Sequence, residues 1–137
     1  MTVAEKENQL TERLALIEDP QERLAALMSR AKKWPQPTPE QLVESNRVLG
    51  CQSRVWLVPT MRDGVCHFAM ECDAPMVKGL VALMCEVFDG GTPADIAATE
   101  PRIFETLGFT RMITPTRLNG IAAVRSRIRE FAANSVL

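Results

Sequence analysis

The chain is 137 residues long, 46% hydrophobic and 24% charged, with a formal net charge of −1. That length suits one domain, spanning residues 1–137, that buries about two-thirds of its unfolded surface, and the composition excludes long disorder. The near-neutral balance gives no signal for nucleic acid or membranes, and no apolar run approaches the ~18 residues needed to cross a bilayer. The N-terminal residues Met1–Glu7 lack the basic-then-apolar order of a secretory signal, so a cytoplasmic location with reduced thiols is expected.

Taken in order, the first segment, roughly Ala4 to Ile17, carries Leu10, Leu14 and Ile17 at helical spacing. Asp19-Pro20-Gln21-Glu22 reads as the start of a second helix, with Asp19 as cap, Pro20 at the first position and Glu22 completing a capping box. Leu24, Leu27, Met28 and Ala31 form its apolar stripe. The run Trp34-Pro35-Gln36-Pro37-Thr38-Pro39 cannot continue a helix, because each proline removes a donor and restricts the residue before it. It reads as a rigid connector, after which Thr38-Pro39-Glu40-Gln41 opens a short helical turn.

Two strands are expected next, at Arg54–Pro59 and Val65–Glu71, with Asp63-Gly64 as the hairpin signal between them. Alternation puts Cys66, Phe68 and Met70 on one face of the second strand, and Asn46–Leu49 is a candidate third strand. Asp73 is expected to cap a helix with Pro75 in its first turn. That helix is apolar on nearly every face from Met76 to Phe88, so it should be buried against the sheet and end at Gly90-Gly91. Short helices follow at Thr92-Pro93-Ala94-Asp95 and Pro101–Leu107, and a last helix opens at Thr114-Pro115 and runs to about Ala133.

The chemistry concentrates in the stretch Asn46–Leu57. Gly50 permits a positive φ, Cys51 follows it, and Val55-Trp56-Leu57 begins a strand, which places a thiol on a turn at a strand mouth. A thiolate is the nucleophilic form of cysteine, and the nearby Arg47 and Arg54 are positioned to favour it. The apolar neighbours Val48, Leu49 and Val55 suggest that the thiol is shielded. On pattern alone, Cys51 is equally readable as a small buried core residue. The other cysteines, Cys66, Cys72 and Cys85, form no C-x-x-C pair and have no His pair beside them, which argues against structural zinc. His67 is the one histidine, and with no orienting residue named beside it a Cys–His dyad is disfavoured. Arg117 stands in the first turn of the last helix, where its charge opposes the helix dipole and calls for a compensating contact.

The run Val48-x-Gly50-Cys51-x-Ser53-x-Val55-Trp56-Leu57 resembles the active-cysteine segment of the SufE/CsdE family. Three further segments match in order: Asp73-Ala74 with Met76-Val77-Lys78-Gly79-Leu80, then Glu105-x-Leu107-Gly108, then Thr114-Pro115-Thr116-Arg117-x-Asn119-Gly120. The sequence departs from the family pattern at Cys72 and Leu118, both usually serine. The resemblance implies an α+β, SufE/IscU-like fold: about three antiparallel strands packed against helices from both ends of the chain. It implies a sulfurtransferase-type acceptor that takes persulfide sulfur onto Cys51 from a cysteine desulfurase of the SufS/CsdA type and passes it to a scaffold or carrier for iron–sulfur cluster assembly. The chain itself would need no cofactor, since the pyridoxal phosphate belongs to the desulfurase. It would act as a monomer or weak homodimer, with Arg117 as a possible partner contact. A cysteine hydrolase and a thiol redox regulator pairing Cys51 with Cys66 or Cys72 are the alternatives.

Overall fold

A computed structural model describes residues 1–135. Its order is α1 (Val3–Ala15), α2 (Pro20–Ala31), β1 (Val55–Arg62), β2 (Val65–Cys72), α3 (Pro75–Phe88), α4 (Pro93–Ala98), α5 (Ile103–Thr106) and α6 (Pro115–Ser135). Short 3-10 turns lie at Pro39–Gln41, Glu44–Asn46 and Phe109–Arg111. The architecture is α+β, as expected: one antiparallel hairpin with helices from both ends of the chain around it. Among the described residues no helix is long and apolar enough to cross a membrane.

The expected third strand is reduced to one bridge. Arg47 pairs with Trp56, and the Val48 N–H donates to the Val55 carbonyl at 2.9 Å, but the chain turns away at Gly50. The sheet therefore has two strands. The hairpin itself is longer than the pattern suggests. Strand pairing runs from Val55↔Cys72 to Arg62↔Val65, so only Asp63 and Gly64 form the turn. Both have positive φ, 53° and 80°, the conformation an Asp-Gly hairpin turn requires.

The β2 edge of this ribbon is occupied, and a proline interrupts the β1 edge. The outward N–H groups of Cys66, Phe68 and Met70 donate to Gly91 O at 2.9 Å, Asp89 Oδ1 at 3.0 Å and Pro35 O at 3.2 Å. The proline-rich connector thus lies along β2, where the Trp34 indole also donates to Phe68 O at 2.8 Å. On the other strand Pro59 stands opposite Phe68, at a position whose N–H would face away from β2, so its missing donor costs the ladder nothing.

Cys66, Phe68 and Met70 face the core as the alternation predicts, and α3 packs on them with Leu80, Val81, Leu83, Met84, Val87 and Phe88 all buried. Behind α3 lies α2, and Gly79 lets the two backbones approach: a Cβ there would stand 3.1 Å from Met28 N. Helix capping differs in two places from expectation. Asp19 caps α2 through Gln21 N at 2.9 Å and forms no box with Glu22; capping boxes form instead at Thr2 and Glu5 of α1 and at Thr38 and Gln41. Asp73 does not cap α3, whose N-cap residue is Ala74, because its carboxylate is taken by Arg54.

Candidate functional site

Loop residues 47–54 lie between the hairpin and the first turns of α6, and small residues on both sides make the fit. Gly50 has φ +94°, a conformation that L side chains rarely adopt, and faces Ala123. Gly120 lies under Cys51, whose Sγ would be 3.3 Å from a Cβ at that position. The Cys51 thiol donates to the Gly120 carbonyl at 3.4 Å. The segments Gly50-Cys51 and Asn119-Gly120, far apart in the chain, thus meet as one site.

Cys51 is half-buried. Val48 and Val55 are buried and Leu49 turns outward, 74% exposed, while the residue packed against the Cys51 side chain is Gly120. Beside the thiol is a cavity of about 50 Å³, lined by Gln52 and Ser53 of the loop, Val77 of α3, and Thr116, Arg117 and Gly120 of α6. It has room for one or a few water-sized groups. Arg117 is therefore brought to the Cys51 loop; its Nη1 also lies 3.6 Å from Met76 Sδ.

Burial pushes the Cys51 thiol above the ordinary cysteine range, and the Arg47 charge works against that rise. Arg54, the second arginine expected to favour the anion, is committed elsewhere. Its backbone N–H and Nε donate to Asp73 Oδ1 and Oδ2 at 2.9 and 3.0 Å, and the hydrogen bond from its side chain is the main cause holding the Asp73 carboxyl low. Arg47→Gln should therefore move the Cys51 thiol still higher and slow its alkylation by iodoacetamide about two- to fivefold near pH 8. The rate-against-pH curve should shift to higher pH; superimposable curves would show that Arg47 does not tune the thiol.

The remaining candidates separate from this site. His67 stands on β2 opposite Thr60, with Nδ1 3.2 Å from Asp89 Oδ2, and it lines a different cavity from Cys51. No Cys–His dyad forms. Cys66 and Cys85 are fully buried. Cys72 ends β2 opposite Val55, buried, with its thiol 3.6 Å from Ala74 O. Burial is the main cause pushing its thiol up, and the negative charges of Asp73 and Glu71 add to that. All four cysteines are free thiols. Among the described residues no cluster of His, Cys, Asp or Glu is suited to a metal ion.

Sequence reasoning missed two features of the site. The Gly120 carbonyl as thiol acceptor has no local signature, and the setting of Trp56 is visible only in three dimensions. Arg47 and Arg54 bring their guanidinium carbons to 5.9 and 5.7 Å from its ring centre.

A family model described as SufE, the Fe–S metabolism associated domain, matches residues 8–132. The chain is 34% identical over 111 residues to an uncharacterized SufE-like protein of Synechocystis sp., covering 81% of this chain and 70% of that protein. It is 30% identical over 131 residues to an uncharacterized SufE-like protein of Rhizobium etli, covering 91% and 88%. The solution structure of a hypothetical protein from Thermus thermophilus has a TM-score of 0.79 to it at 26% identity, over 96% of each chain.

Proposed function

Since the chain belongs to the SufE family, whose domain is associated with Fe–S metabolism, we propose that it is a sulfur acceptor and relay with Cys51 as the acceptor atom. In this reading a pyridoxal-phosphate-dependent cysteine desulfurase presents a persulfide. The Cys51 thiolate attacks its outer sulfur, the donor S–S bond breaks, and a new S–S bond forms on Cys51. The donor cysteine leaves as a thiolate, and the proton lost by Cys51 passes to solvent, so the exchange is redox-neutral. A scaffold or carrier thiol then takes the sulfur by the same step. The pyridoxal phosphate stays on the desulfurase, and the work of this chain is cytoplasmic.

One observation carries the reading: a half-buried thiol beside a cavity of about 50 Å³. The space suits one additional sulfur atom. The Gly120 carbonyl holds the resting thiol, and the partly closed setting limits access of reductants to a persulfide. The reading is tested by incubating the protein with a cysteine desulfurase and cysteine, then weighing it by mass spectrometry. A gain of one sulfur that reductant removes is expected; no gain with an active desulfurase would overturn the proposal.

Arg117, exposed beside the same cavity, is proposed as a contact to the sulfur donor. Arg117→Ala should slow sulfur transfer about tenfold while leaving the melting temperature within a degree or two, because a surface side chain away from the core contributes little stability. Unchanged transfer at unchanged stability would remove it from the site.

A further inference from the structure

Four arginines lie on or beside the loop that carries Cys51. Arg47 and Arg54 both lie over the Trp56 ring, and Arg127 adjoins the first of them, with Nη1 3.0 Å from Arg47 O. Arg117 lines the cysteine cavity. Two of the four have carboxylate partners: Arg47 with Glu44 at 3.3 Å and Arg54 with Asp73 at 3.0 Å. Arg117 and Arg127 have none within 4.0 Å among the described residues. The loop thus carries a local excess of positive charge on a chain whose formal net charge is −1. On the same loop Leu49 is 74% exposed, and the Arg54 side chain is 61% exposed.

We infer that this arginine rim is a docking surface for an acidic patch on the sulfur-donating protein, with Leu49 as its apolar contact. The inference rests on the sulfur-acceptor reading and names how the donor is recognised. The occupant is a protein surface because the cationic groups come from the loop, the approach to β1 and α6, with an exposed apolar side chain among them. A small anion would need a pocket, and the cavity beside Cys51 has only about 50 Å³. Arginine and tryptophan together are the residue types enriched where interfaces bury area, and a charged rim speeds encounter with a complementary face.

The test is titration of wild type, Arg54→Gln, Arg127→Gln and the double variant against a purified cysteine desulfurase without cysteine, at low and high salt. Arg54→Gln keeps the backbone hydrogen bonds between Arg54 and Asp73, so it reports charge rather than loop structure, and thermal melting checks each fold. Wild-type affinity should fall roughly tenfold between about 50 and about 300 mM salt, where screening shortens the reach of surface charges. The double variant should bind about tenfold more weakly at low salt and lose most of the salt dependence. Salt-independent wild-type binding, or a double variant that binds as wild type does, would overturn the inference. So would duplex DNA binding the surface more tightly than the desulfurase does, which would assign the rim to nucleic acid. If the wild type gains sulfur but its binding ignores salt and charge, only the docking surface fails; if it gains none, the acceptor reading fails with it.

Discussion

Cys51→Ser should lower sulfur gain from a desulfurase by more than ~100-fold, to background, with the fold intact. A serine hydroxyl is scarcely ionised at neutral pH and forms no stable bond to the sulfane sulfur. The replacement fits sterically, since a hydroxyl can donate to the Gly120 carbonyl as the thiol does. Cys72→Ser should leave transfer within about twofold, because Cys72 is buried at the strand end and hydrogen-bonds to Ala74 O, a role a hydroxyl can fill. Peptide mapping of the sulfur-loaded protein decides between them. Sulfur on Cys72 with Cys51 unmodified would reverse the assignment.

Gly79→Val should destabilise the protein by about 2–3 kcal/mol and lower its melting temperature by roughly 10 °C. The reason is backbone against backbone. A Cβ at Gly79 would stand 3.1 Å from Met28 N, 3.2 Å from Leu27 C and 3.3 Å from Met28 Cα, so α2 and α3 would have to separate. Both helices carry core residues at the crossing, with Leu27 and Leu80 nearly or fully buried, and separation would loosen their packing. Urea unfolding measures the loss directly. A stability within ~0.5 kcal/mol of wild type would show that the crossing adapts freely.

What the sequence announces, it announces through local rules. The Asp63-Gly64 turn, the largely apolar α3 and the proline at its first position are each set by residues a few places apart, and each appears. Asn46–Leu49 has strand-like character too, yet it yields one bridge, because the turn at Gly50 carries the loop towards α6 instead of along β1. Asp73 shows the limit most clearly. Its position before Pro75 suits a cap, but a guanidinium across the strand end competes for the same carboxylate and wins. Arg54 is in turn drawn away from the thiolate that its place in the sequence suggests it supports. At the site, the cysteine is legible from Gly50-Cys51 and the resemblance, whereas its carbonyl partner lies on α6, and no spacing rule links residues that far apart.

The occupied β2 edge and the proline on the β1 edge have a consequence for how this protein can acquire or change partners. With Gly91, Asp89 and Pro35 occupying the donors of β2, and Pro59 interrupting β1, an extended peptide finds no continuous ladder to extend. Recognition by strand addition, which reads backbone and tolerates many sequences, is disfavoured here. Selectivity must then reside in side chains at the loop surface. Such side chains can be exchanged one at a time without disturbing the scaffold, so relatives sharing this fold can diverge in the surfaces they recognise.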